Sequence, residues 1–325
     1  MRKAILATIA VGTMLVPTLP VAPALAQLNK SYVANFGGDG NSCADVLHAC
    51  ATFAGALAKT NPGGEISVVN TGDYGVVTID KSVNVTNDGA GESSILSPSG
   101  MAAAIGAGAG DIISLRGLVI DGQGPGSVGI QITQASAVHV QNCVIRNFES
   151  PVLAVGILMV SAGNTKLFVS DTIIFNNGNA PGSGGIVIAP QGTGSSNVIL
   201  DRVHLENNVI GLRVLGSSST ADGAHVVLRD SVVSGNAGDG IVAFSDPGKA
   251  PAFILVQRTS SVNNTGIGIN AFGPRATMLL NDNTVARNGV GISASSSGQL
   301  ISYGNNRVNN NLGPDGTPTS SYTPL

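Results

Sequence analysis

The chain has 325 residues, of which only 11% are charged, with 16 Lys and Arg against 19 Asp and Glu for a formal net charge of −3. That balance offers no basic stripe for a phosphate backbone and excludes nucleic acid as a partner. The 43% apolar share excludes disorder, and the scarcity of charge leaves few ion pairs to hold the fold.

Residues 1–26 read as an export signal. Arg2 and Lys3 precede an apolar run from Ala4 to Val16, and Ala24, Leu25 and Ala26 form a small-residue cleavage site before Gln27. Pro17 and Pro20 break the run, and no later stretch reaches about 18 apolar residues, so no transmembrane segment is expected after cleavage. The mature protein is expected in a periplasm or outside the cell. Within the N-terminal segment 27–64, Cys43 and Cys50 lie seven residues apart, and an oxidising compartment lets such a pair close a disulfide. Cys143, between Val140 and Val144, reads as a buried inert thiol, because nothing near it in sequence would lower its pKa.

From residue 111 onward one pattern recurs: an apolar strand, a polar residue, a β-branched pair, Asn, a short gap, then Gly and an aliphatic residue. The copies read QNCVIRN (141–147), DTIIFNN (171–177), DRVHLEN (201–207), DSVVSGN (230–236), RTSSVNN (258–264) and DNTVARN (282–288), spaced by 24 to 30 residues. LRGLVID (115–121) precedes them and NNRVNNN (305–311) follows. A unit this short, with no helical period, cannot bury its own apolar face and must stack coil on coil. The pattern predicts a parallel β-helix, an all-β solenoid in which each coil adds strands to long parallel sheets. Stacked amides can donate and accept along such an axis, so Asn147, Asn177, Asn207, Asn236, Asn264 and Asn288 are expected to form a ladder.

The SLRGLVIDG opening and the T-V-x-x-N-x-x-G-I type repeats resemble the right-handed parallel β-helix proteins, the superfamily that includes pectate lyases. The resemblance covers about residues 65–312 and leaves 313–325, rich in Pro, Thr and Ser, as an extended or frayed C-terminal tail. Upstream, CADVLHACATFAGALAK looks like the Cys-containing start of uncharacterised exported β-helix proteins from proteobacteria. There Ala51 to Lys59 would form a short helix, with Phe53 and Leu57 inward, capping the first coil.

Function is harder to read, because such solenoids host lyases, hydrolases, epimerases, adhesins and inert scaffolds. The N-T-D, D-D, G-H-G and R-x-K strings of polygalacturonases are missing, and the pectate-lyase calcium carboxylates cannot be placed residue by residue. In DRVHLEN, strand alternation puts Arg202, His204 and Glu206 on the outer face and Val203, Leu205 and Asn207 inside. The outward equivalents in the flanking coils are expected to be Thr172, Ile174 and Asn176, then Ser231, Val233 and Gly235. His204, held by Glu206 and accompanied by an anion-binding Arg202, would suit proton abstraction from an acidic sugar; a solvated, weakly paired triplet is the other reading.

The row Asp171, Asp201, Asp230, Arg258 and Asp282 would bring like charges within about 5 Å. Calcium or turn hydrogen bonds would relieve it, and a one-residue shift at coil 201 would instead set Arg202 between Asp171 and Asp230 as a salt-bridge ladder. No other cofactor is expected. The chain is thus expected to be an exported non-catalytic scaffold or a surface- or glycan-binding protein, partnered by a polysaccharide. The alternative is a lyase- or epimerase-like enzyme acting on an acidic glycan through Arg202, His204 and Glu206.

Overall fold

The structure is a computed structural model that describes residues 27–322, so the expected export signal lies outside the described residues. The chain winds into a parallel solenoid of three sheets with twelve, ten and nine strands. Sheet I runs from Leu28–Val33 to Ser320–Ser321, sheet II from Gly72–Asp73 to Arg307–Val308, and sheet III from Val77–Ile79 to Val290–Ser295. One coil visits them in turn, as in Ser195–Asp201, His204–Glu206 and Leu212–Leu215. Every inter-coil pairing is parallel, and in the central coils of sheet I the register holds without a shift, from Asn164 against Ser195 to Ser170 against Asp201.

Each apolar residue packs on its counterpart in the next coil. Leu167, Val198, Val226, Ile254 and Met278 form one buried column in sheet I. Ile186, Leu212, Ile241, Ile269 and Ile292 form another in sheet III. Burial of each such side chain contributes about 1.5–3 kcal/mol. The period therefore follows from the sequence: an aliphatic residue every second position, repeated once per coil.

The corners need left-handed backbone. Between sheets I and II one residue per coil takes positive φ: Asn142, Asp171, Arg202, Asp230, Arg258 and Asp282. Between sheets II and III the same role falls to Asn147, Asn176, Asn207, Gly235, Asn263 and Arg287. Asn and Asp tolerate this region best among side-chain-bearing residues. Three arginines occupy it as well: Arg202 and Arg258, and Arg287, whose Nε donates to Asn263 Oδ1 at 3.1 Å.

The ladder differs from expectation at two positions. Ladder members are Asn177, Asn208, Asn236, Asn264, Asn288 and Asn311. Asn236 Nδ2 donates to Asn264 Oδ1 at 2.7 Å, and Asn264 Nδ2 to Asn288 Oδ1 at 2.8 Å. Asn147 and Asn207 instead fill the left-handed corner one residue earlier, so Asn207 is exposed rather than inward. Buried Phe148 takes the ladder position of its coil, its backbone N–H donating to Asn177 Oδ1 at 3.2 Å. The copies at 141 and 201 are thus offset by one from the motif alignment, because the corner geometry and not the Asn-Asn doublet sets the register.

The N-terminal end is closed as expected, by a helix at Phe53–Lys59, two residues shorter than predicted at its start. Thr52 caps it by accepting the Gly55 N–H at 2.9 Å, and Phe53 and Leu57 are buried. Cys43 and Cys50 form a disulfide with their Cα atoms 5.1 Å apart. Lys59, in the last turn, donates to the carbonyls of Asp39 and Asn41 and so ties this loop to the helix. At the other end the tail is extended and bonded: Pro314 and Asp315 carbonyls accept Gly291 and Ile292 N–H groups at 2.9 Å, and Ile301 pairs with Ser320. Among the described residues no helix is long and apolar enough to cross a membrane.

Candidate functional site

In sheet II, His204 and Glu206 project outward from strand His204–Glu206 while Val203 and Leu205 are buried. His204 Nδ1 lies 2.9 Å from Glu206 Oε1, and both side chains are partly in solvent. Their neighbours are Ile173 and Val232 beside His204, and Phe175 and Ser234 beside Glu206. The expected equivalents Ile174 and Val233 are core residues, and Thr172 and Ser231 are buried corner residues, again by the one-residue offset.

Arg202 is drawn elsewhere. Its guanidinium forks onto Asp171 at 2.7 and 2.9 Å and reaches Asp201 at 2.5 Å. Arg258 does the same to Asp230 at 2.6 and 2.7 Å, and Arg307 reaches Asp282 at 3.2 Å. The outer row of this corner therefore alternates Asp171, Arg202, Asp230, Arg258 and Asp282, and arginine relieves the carboxylate repulsion foreseen for it. The shifted register brings this about and moves Asp201 into the neighbouring row with Arg229. Hydrogen bonding to Arg202 holds the Asp171 carboxyl below its ordinary pKa, and Arg258 does so for Asp230. At these two left-handed positions each arginine finds a bidentate carboxylate partner one coil away.

A different face carries a walled cleft. Two turns between sheets II and III, residues 149–154 and 178–183, lie against the outer side of sheet III, where Leu153 packs on its apolar cluster and Gly182 on Arg213. They and the strands beneath bury Val128, Val155, Leu158, Val187 and Ala189 outside the solenoid core. Beyond that wall lies a cavity of about 460 Å³, with Arg213, Asp239, Phe244, Asn270 and Phe272 on its surface and Pro181 and Gly182 at its edge. Phe244 and Phe272 stand in one row, their ring centroids 5.3 Å apart. Asp239 is fixed by the Ile267 N–H at 2.7 Å and by Asn270 Nδ2 at 2.9 Å, which leaves the buried Asn270 Oδ1 without a partner. Arg213 lies beneath Gly182, where an added Cβ would stand 3.1 Å from its Nη1.

None of the ion pairs among the described residues, which include Arg202–Asp171 and Arg229–Asp201, involves Arg213. The cleft thus presents one uncommitted cation, one oriented carboxylate and a phenyl shelf. Motif reading missed it. The signal lay in the column after the recurrent glycines: Gly211-Leu-Arg213, Gly240-Ile-Val242 and Gly268-Ile-Asn270, followed two residues on by Phe244 and Phe272. Among the described residues there is no group of three or more His, Cys, Asp and Glu arranged to hold a metal ion.

No protein-family profile matches this chain, and no curated protein resembles it at a significant level. Solved structures do. The pectate lyase Pel9A aligns over 93% of this chain and 80% of its own, with a TM-score of 0.61 and 16% identity. The A-module of the Azotobacter vinelandii mannuronan C-5 epimerase AlgE4 covers 81% of this chain and 90% of its own, with a TM-score of 0.43 and 14% identity. An alginate lyase from Paenibacillus sp. str. FPU-7 covers 84% and 97%, with a TM-score of 0.44 and 13% identity. The chain has the pectate-lyase-like parallel β-helix fold.

Proposed function

We propose that the protein is an exported polysaccharide-binding β-helix whose sheet III cleft takes carboxylated sugar units. The observation that carries this is Arg213, a guanidinium free of any carboxylate among the described residues, set beside the Phe244–Phe272 shelf. A phenyl face accepts the C–H side of a pyranose ring, a guanidinium forks onto a sugar carboxylate, and a fixed carboxylate such as Asp239 accepts ring hydroxyls. The Cys43–Cys50 disulfide supports the exported setting. Calorimetric titration of the mature chain with oligogalacturonate should show binding that Arg213→Gln weakens about tenfold, the worth of one charge-assisted bond. Neutral galactan oligomers of equal length should bind no better to the parent than oligogalacturonate binds to that variant. Equal binding of charged and neutral chains would overturn the reading.

A second reading, an enzyme of the lyase or epimerase kind, is favoured by one contact, His204 Nδ1 to Glu206 Oε1 at 2.9 Å. It requires His204 to take a proton from an acidic sugar lying across sheet II, with Arg202 holding the carboxylate while already bound to Asp171 and Asp201. If incubation with polyuronates yields unsaturated or epimerised products, and His204→Ala abolishes them, this reading replaces the first.

A further inference from the structure

The outer face of sheet I carries a feature that the glycan reading does not use. The register places His139, Phe168, Ile199 and Val227 in one row, one residue per coil, and Lys166, Asn197, His225 and Phe253 in the next row. Side chains in such a row stand at strand spacing, about 4.8 Å. The His139 and Phe168 rings use that spacing to stack, 4.7 Å apart with planes at 10°. Partial burial lowers the His139 pKa, so at neutral pH the stack is between two uncharged rings. It ends at Phe168, because the following coil supplies Ile199, whose branched chain is shorter than a phenyl group. Two coils beyond Ile199, Phe253 stands beside His225 with centroids 6.0 Å apart. Between the two aromatic groups is a slot of about 380 Å³, floored by Ile199 and Val227 and edged by Lys166 and Asn197.

Three properties select the occupant. The interrupted stack offers a ring face at the spacing a further flat ring would take. The floor is aliphatic, so a sugar would press hydroxyls against Ile199 and Val227 without partners, at about 1–3 kcal/mol for each. The polar groups at its edge are Lys166, Asn197 and His225: Lys166 takes part in no ion pair or side-chain hydrogen bond among the described residues, while His225 Nε2 is held by the Asp222 carbonyl at 3.0 Å and carboxylate at 3.4 Å, which leaves Lys166 as the free cation. A ligand here needs a flat apolar body and one negative end. We infer that this slot binds a small planar aromatic carboxylate, its ring stacked on Phe168 and its carboxylate on Lys166 Nζ. The slot lies on a different sheet from the Arg213 cleft and does not depend on that cleft's ligand.

The probe is trans-cinnamate, titrated calorimetrically into the mature chain. One saturable site is expected, weakened about tenfold by Phe168→Ala and about tenfold by Lys166→Gln. Cinnamyl alcohol, which keeps the ring and lacks the charge, should bind the parent only as well as cinnamate binds Lys166→Gln. Galacturonate should not compete, and Arg213→Gln should leave cinnamate binding unchanged. Both slot residues are on the outer face, and Val227→Phe, which fills the slot from its floor, supplies a third variant should either fail to fold. No saturable binding to the parent, unchanged affinity across the variants, equal affinity for the alcohol, or displacement by galacturonate would each overturn the inference. Loss of galacturonate binding with cinnamate binding intact would sink only the glycan reading.

Discussion

The register of the coil at 201 can be tested by a pair of adjacent substitutions. Asn208 is buried, and its Oδ1 accepts both the Asn177 backbone N–H at 3.1 Å and Asn177 Nδ2 at 3.0 Å, while its Nδ2 donates to the Ile174 carbonyl at 3.0 Å. Asn208→Ala strands a buried N–H and a buried carbonyl. At about 1–3 kcal/mol for each unsatisfied group, the variant should lose about 2–6 kcal/mol. Asn207, one residue earlier, is exposed at φ 53°. Asn207→Gly removes a left-handed cost of about 1 kcal/mol and adds a similar loss of backbone entropy, so its net effect should be within about 0.5 kcal/mol of zero. Urea unfolding followed by far-UV circular dichroism, compared at constant slope, gives both values. A loss above about 2 kcal/mol for Asn207→Gly, or below about 1 kcal/mol for Asn208→Ala, would refute the register and the ladder assigned from it.

Three further outcomes are expected. Burial pushes the Asp121 carboxyl upward, but hydrogen bonds from the Gln123 N–H, Arg146 and Asn147 outweigh it and its pKa is lowered from 3.8. A lowered folded pKa stabilises the fold above the unfolded value, so thermal stability should fall as pH drops below about 4, and Asp121→Asn should flatten that slope while lowering Tm at pH 7. Burial also pushes the Cys143 thiol up to about 11. A thiol reagent at pH 8 should therefore find no group in the native chain, one after unfolding and three after unfolding with reductant; two or more in the native state would contradict both its burial and the disulfide. Gly182 has φ 91° and lies against Arg213 Nη1. Gly182→Ala should weaken oligogalacturonate binding severalfold while leaving cinnamate binding and the circular dichroism spectrum unchanged.

The solenoid was legible because its cause is local and repeated. A strand of alternating aliphatics such as Asn197-Val198-Ile199-Leu200, met once per coil, specifies both the pleat and the stacking partner. The helix at Phe53–Lys59 was equally legible from Phe53 and Leu57 one turn apart. What the strings hid was the phase of the corners. DRVHLEN ends on an Asn, as its neighbours do, yet Arg202 takes the left-handed position that Asp171 takes in the coil before, and the amide that joins the ladder is Asn208. Alternation within those seven letters turns Val203 and Leu205 inward, but it leaves open whether Asn207 or Asn208 joins the ladder. The distinction comes from Val203, Leu205 and Asn208 all fitting the interior, which requires the three-dimensional register.

The same reasoning explains why a site is more visible as an exception to a column than as a motif. In a solenoid, each surface position has a default set by the coils on either side, and chemistry appears where one coil departs from it. Arg202 departs in sequence but is reabsorbed, because Asp171 and Asp201 lie where its guanidinium falls. Arg213 departs and is not: its row neighbours Val187 and Val242 are apolar, and the turn carrying Gly182 stands over it. A cation placed between valines loses hydration without gaining a partner, a cost that a bound carboxylate would relieve. Replacing Arg213 with Leu should on that ground leave the chain as stable as the parent, or more so, in urea unfolding, whereas Arg202→Leu should cost only the small amount typical of an exposed ion pair, because the Asp171 it leaves behind is solvent-exposed. Destabilisation by Arg213→Leu would mean that this side chain serves the fold, and the cleft would lose its claim to be a binding site.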